Sequence, residues 1–166
     1  MHAHIRERVE KLGFQEAYKS SPNDKRRYII LSQGAEDIAG IEVTLRQHNI
    51  DKVDTIISVL TFCSVPSPHT SLPALVKSLL KPGGQFLFYE HVLSPRSDVA
   101  FWQRFWSPIW CRFFDGCRLD VPTHKIVDAV RKEDGTDFWL EGRAWAKEGE
   151  PEEHLFWHRT GRYVVA

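Results

Sequence analysis

Three short stretches hold residue types that could do chemistry. Glu90 and His91 follow the apolar, aromatic run Phe86-Leu87-Phe88-Tyr89. An imidazole placed there can act as a general base or as a hydrogen-bond donor to a substrate, or it can be spent on a neighbouring loop carbonyl. Cys63 precedes His69 in a proline-rich loop, a pairing that invites a nucleophile and its base. No third residue is apparent to orient the pair, so a satisfied loop cysteine is the plainer reading. Glu36 and Asp37, in Gly34-Ala35-Glu36-Asp37, come directly after Tyr28–Ser32. Acidic residues there either begin the next helix or face a ligand. The 3 cysteines and 8 histidines are scattered, with no HExxH and no paired Cys/His spacing, so the pattern predicts no metal site. Gly83-Gly84 lies before a strand and not between a strand and a helix, so it cannot cradle a phosphate at a helix start.

The elements that must position these residues follow from periodicity. Leu75, Val76, Leu79 and Leu80 recur at helical spacing and predict a helix over Thr70–Leu80. Lys81-Pro82-Gly83-Gly84 then ends it, because Pro82 biases Lys81 away from the helical region. Gln85–Val92 and Val53–Leu60 are apolar runs of the kind that suit strands covered on both faces. Tyr28–Ser32 reads as an earlier strand, after a turn over residues 20–24. Helices are predicted over His4–Leu12, Ala39–His48 and Pro122–Arg131, with late strands over Asp137–Trp145 and His158–Val165. The alternation of strand and helix argues for a parallel sheet with helices on its faces, closed by an antiparallel pair. Residues 1–166 read as one domain. Over Ser97–Phe114, eight aromatic or aliphatic residues fall on one broad helical face broken by Pro108. That face is either half of a buried helix pair or an aromatic cover over a small-molecule pocket.

Composition limits the function classes. The 22 basic and 22 acidic residues cancel, and no basic block argues for nucleic acid or a membrane surface. No apolar run approaches the ~20 residues that a membrane helix needs. Three cysteines give no disulfide framework, which suits a reducing, cytoplasmic setting.

Four segments then resemble one family. Gly34-Ala35-Glu36-Asp37, VDTIISVLTFCSV, LLKPGGQFLFYEHV and Asp115-Gly116-Cys117, in this order, are similar to segments of the class I S-adenosylmethionine-dependent methyltransferases. The nearest subgroup is the methyltransferase-like thiol and small-molecule methyltransferases. The resemblance covers about residues 1–119. It implies a Rossmann-like α/β fold whose seven strands run 3-2-1-4-5-7-6, mostly parallel, with strand 7 antiparallel. Tyr28–Ser32, Val53–Leu60 and Gln85–Val92 would be strands 3, 4 and 5, and the two late strands would be 6 and 7.

The same resemblance implies site roles. Asp37 or Glu36 would hold the adenine amino group, with Ala35 against the ring. Leu60 and Thr61 would offer backbone to the methionine part of S-adenosylmethionine. Phe62, Cys63, His91, Asp115 and the aromatic helix with Trp102 and Trp106 would face a small-molecule acceptor, with His91 catalytic. Strand 1, its glycine loop and strand 2 have no counterpart in this sequence. Their absence predicts an incomplete domain, weakened cofactor binding and little catalysis by the chain alone. It also predicts an unpaired apolar edge on strand 4, to be re-paired by strand 3 or by another chain in a homo- or hetero-oligomer. The expected activity is methyl transfer to a small-molecule oxygen, sulfur or nitrogen. The alternatives are a non-methylating binder, a cyclase or isomerase on the same fold, or a subunit that completes another chain's sheet.

Overall fold

The computed structural model describes residues 2–17 and 26–166; the turn predicted over residues 20–24 lies outside them. The main sheet has four strands, β3 (Val53–Val59), β4 (Leu80–His91), β5 (Trp139–Ala146) and β6 (His158–Val165), in the order β3-β4-β6-β5. β3 and β4 are parallel, while β6 runs antiparallel to both β4 and β5. This is the 4-5-7-6 half of the order that the family resemblance implies. Parallel pairing is confined to one pair, so the sheet is mainly antiparallel where a mostly parallel one is expected.

The difference has a physical cause. Tyr28–Ser32 does not enter the sheet. Only β2 (Arg27–Tyr28) forms, paired in parallel with β1 (Gln15–Glu16) behind helix α1 (His2–Lys11). A strand needs a neighbour to satisfy its backbone groups, and in the implied order strand 3 adjoins strand 2, not strand 4. With no counterpart of strand 2 among the described residues, the apolar run at 29–32 has no ladder to join, and the outer edge of β3 remains unpaired there.

Alternation along β4 decides which face is core. Phe86 and Phe88 are buried while Leu87 and Tyr89 are half-buried, as a period of two requires. Phe86 and Phe88 meet Phe62, Tyr163 and Val165 beneath helices α2 (Ile38–Gln47), α3 (Pro68–Leu79) and α5 (Thr123–Asp128). Gly161 and Gly142 are spaces held for rings. A Cβ on Gly161 would sit 2.2 Å from the Phe88 ring, and one on Gly142 would sit 2.3 Å from Tyr163. The other sheet face has no such cover among the described residues: Ile57 is 67% exposed and Val59 58%. They line a shallow apolar depression with Leu87, Tyr89, Trp145 and Arg162.

The predicted turn at 81–84 also takes another form. Val53 pairs with Leu80 and Thr55 with Gln85, so Lys81-Pro82-Gly83-Gly84 bulges out of the ladder and β4 begins directly from α3. Gly83 adopts φ +73° there, a conformation glycine accepts at no steric cost, and Lys81 reaches across to Asp54.

Helix α4 (Ser97–Phe113) runs through Pro108 without a break, and it inverts the expected packing. Its buried residues are Val99, Ala100, Gln103 and Ser107. Its aromatic row is open, with Phe101 60%, Phe105 53% and Phe113 77% exposed. Among the described residues most of the row therefore lies open rather than buried in a helix pair. Polar anchors hold the helix down. Gln103 accepts from the Ser94 N–H at 2.8 Å and donates to the carbonyls of Val92 and Leu155 at 3.1 and 2.8 Å. Ser107 donates to Asp120 at 2.6 Å and accepts from the Leu119 N–H. No described helix is long and apolar enough to cross a membrane.

Candidate functional site

Because β3 and β4 are parallel, their carboxyl ends share one edge of the sheet. β6 begins at the same edge, where His158 pairs with His91. Ligands of open α/β sheets bind at such an edge.

The exit from β3 is strained. Leu60 has φ +50°, costly for a residue with a γ-branched side chain. Glu90 holds the turn that follows. Its Oε1 accepts from Ser58 Oγ at 2.6 Å and from the Thr61 N–H at 2.9 Å. The side chain is 0% exposed, and Oε2 has no hydrogen-bond partner. Burial raises its pKa above the usual carboxylate range, against the opposing pull of Ser58 and the backbone amides of Thr61, Phe62 and Cys63. Phe62 turns inward, 1% exposed, and meets Phe86 edge-on; its ring serves the core.

Cys63 is buried and faces a second thiol. Its Sγ lies 3.4 Å from Cys117 Sγ, which lies 3.7 Å from His91 Nδ1. The ligand atoms of these three residues all fall within 4.8 Å of one another. Asp115 and Gly116, with φ +47° and +79°, turn the chain so that Cys117 points inward. The Arg118 N–H donates to the Cys63 carbonyl at 2.8 Å and clamps the two loops together. Burial first, and then the neighbouring Cys117, push the Cys63 thiol up to about 12. Burial first, and then His158, push the His91 imidazole down to about 4, so at neutral pH the ring is uncharged. It packs between His158, at 4.5 Å between centroids, and Phe156, at 5.6 Å.

The remaining candidates lie apart from this cluster in role. Asp37 caps α2, its Oδ1 accepting from the Gly40 N–H at 3.0 Å. Glu36 is exposed and folds back over Gly34. Ala35 is half-buried and Thr61 exposed. Trp102 and Trp106 sit on the outer side of α4, 49% and 42% exposed. Trp110 is the tryptophan of that helix turned toward the edge. It stacks on Phe114 at 3.7 Å and tilts against Phe156 at 4.8 Å. Cys117 and Trp110 are edge residues to which sequence reasoning gives no individual role, and Glu90, noted there beside His91, is given none of its own. Glu90 alone carries a readable signal: an acid set at an inward position of an apolar strand needs internal partners.

No protein-family model matches the chain. The chain is similar to curated thiol S-methyltransferases. It is 38% identical over 88 residues to thiol S-methyltransferase TMT1B of Rattus norvegicus, covering 52% of this chain and 36% of that protein. It is 36% identical over 77 residues to thiol S-methyltransferase TMT1A of Homo sapiens, covering 46% and 31%. The matched region thus spans about a third of these relatives' length. Among solved structures, it overlaps a SAM-dependent methyltransferase of Thermotoga maritima with TM-score 0.46 and 17% identity, over 70% of this chain and 57% of that one. It overlaps a Haloferax volcanii methyltransferase, solved with the Trm112 activator, with TM-score 0.49 and 13% identity, over 86% and 63%.

Proposed function

We infer from its membership of the class I S-adenosylmethionine-dependent methyltransferases that this chain supplies the acceptor side of a methyl-transfer site. A small-molecule thiol is the first candidate acceptor, with a small hydroxyl or amine as alternatives. The observation that carries this reading is the 38% identity over 88 residues to a thiol S-methyltransferase. S-adenosylmethionine would supply an electrophilic methyl group, and what remains for the protein is chiefly positioning. The backbone of Leu60 and Thr61, fixed by Glu90, would meet the methionine part of the cofactor. Glu36 would meet the adenine amino group, since the Asp37 carboxylate is already engaged as a helix cap. His91, uncharged at neutral pH, would accept the hydrogen bond of an acceptor S–H.

The unpaired β3 edge and the bare face at Ile57 and Val59 favour a second element of the reading. A further strand, from another chain segment or another subunit, would pair along β3 and bring the missing cofactor grip. The test is transfer of a labelled methyl group from S-adenosylmethionine to a panel of one alkyl thiol, one phenol and one amine. The chain is assayed alone and mixed with the amino-terminal half of a thiol S-methyltransferase. Labelled thioether is expected, with turnover rising in the mixture. Absence of cofactor binding and of any methylated product in both samples overturns the reading.

A further inference from the structure

We propose that Cys63, His91 and Cys117 form a binding site for one thiophilic divalent cation of the Zn2+ class, three-coordinate from the protein with a fourth position open. The inference does not depend on the methyl-transfer reading.

Geometry is the first argument. Zinc takes thiolate sulfur at about 2.3 Å and imidazole nitrogen at about 2.0–2.1 Å, so the edges of its tetrahedron measure roughly 3.5–3.8 Å. The two measured edges are 3.4 Å between the sulfurs and 3.7 Å from Cys117 Sγ to His91 Nδ1, and the third lies within 4.8 Å. Small side-chain movements alone would seat the ion.

Preorganisation is the second. The three ligands come from three different segments, and each is anchored through its own backbone. Cys63 accepts at its carbonyl from the Arg118 N–H, and the Cys117 N–H donates to the Phe114 carbonyl at 2.8 Å. His91 is paired in the β4–β6 ladder. Little conformational freedom is left for a cation to remove.

Charge is the third. A dication with two thiolates is neutral, and a neutral unit is what a half-buried place beside the Glu90 carboxyl accommodates. Two soft sulfurs and one imidazole select against Mg2+ and Ca2+, which take oxygen ligands. The side chains of His91 and Cys117 are only half-buried, so an ion has a route in. Cys111, near the end of α4, takes its own bond to the Pro108 carbonyl and stands outside the set.

The same two sulfurs could instead oxidise to a disulfide, so the test uses fully reduced protein. Co2+ serves as the spectroscopic probe and Zn2+ as the competitor, both added to the whole chain. One equivalent of Co2+ is expected to give thiolate-to-metal charge-transfer absorption and the intense visible bands of a tetrahedral site, both abolished by Zn2+. Cys117→Ser and His91→Ala should each weaken binding at least about tenfold, the loss that even an outer-shell partner's removal brings, while Cys111→Ser should leave it unchanged. A readout without substitutions accompanies these, in case a variant fails to fold. Zn2+ should slow alkylation of Cys117 in the unaltered chain and leave the rate at Cys111 as it was. Octahedral Co2+ spectra, binding that survives Cys117→Ser, or alkylation of Cys117 indifferent to Zn2+ would each overturn the proposal.

Discussion

Helices α3 and α4 invite comparison. Each contains a proline, Pro73 in one and Pro108 in the other, and each carries an apolar row at helical spacing. α3 buries its row: Leu72, Leu75, Val76 and Leu79 are at most 6% exposed. α4 turns its row outward and is held by Gln103 and Ser107. Periodicity says which residues share a face of a helix. It does not say whether the protein has anything to lay against that face. For α3 the answer is the ring layer of β4 and β6. For α4 it is a set of loops whose free backbone groups want hydrogen bonds more than hydrocarbon.

The comparison breaks first if burial on α3 is not worth what it should be. Leu72→Ala, at a site with 0% exposure, removes apolar contacts and leaves a cavity. The expected loss is about 3 kcal/mol of unfolding free energy, read as a lower urea midpoint with an unchanged slope. A loss under about 1 kcal/mol would mean that the α3 layer is loosely packed.

On α4 the corresponding anchor is polar. Gln103→Leu keeps much of the volume but strips partners from the Ser94 N–H and from the Val92 and Leu155 carbonyls. Buried groups left unpaired cost about 1–3 kcal/mol each at the upper end. Some will find water at the loop surface, so a total of about 2 kcal/mol is expected from the same urea curves. If Gln103→Leu is neutral or stabilising, α4 is held by its apolar contacts after all.

These two helices also measure how much was legible beforehand. β6 forms over the very span predicted, His158–Val165, and α2, α3 and β3 agree to within two residues at either end. Their patterns are local, and neighbours are present to satisfy them. Tyr28–Ser32 has a good strand pattern but, beyond the pairing of Tyr28 with Glu16, no adjacent strand among the described residues, so its pairing could not be read from itself. The aromatic row of α4 is visible in the sequence, while the identity of its cover is not. The Cys63–Cys117 contact joins residues 54 positions apart. No spacing rule links them; only the parallel β3–β4 pair and the turn at Asp115-Gly116 place them together.

The covered side can be probed by protonation as well. His124, in α5 on the same face as α3, has a buried Nδ1 without a partner. Burial, then Arg159 and Lys125, push its imidazole down to about 4. Between the ordinary histidine value near 6.5 and that lower one, the unfolded chain binds a proton that the folded chain refuses. Stability should therefore fall as pH drops from about 6.5 toward 4. His91, similarly lowered, adds to the fall. His124→Gln should flatten the pH dependence of the urea midpoint without removing it. An unchanged slope would place the His124 ring in contact with water.

The smallest effect is the most direct test of the contrast. Phe105 projects from the outer side of α4, 53% exposed, with Trp102 and Trp106 edge-on to it. Its neighbours there are other exposed rings, so truncation forfeits only partial ring contacts. Phe105→Ala is expected to change unfolding free energy by no more than about 0.5 kcal/mol, the usual range for surface sites. The matching expectation is colloidal: less exposed apolar area should mean less self-association in light scattering at equal concentration. A loss approaching that of Leu72→Ala, measured on the isolated chain, would show that the aromatic row is covered in solution, and the distinction between the two helices would collapse.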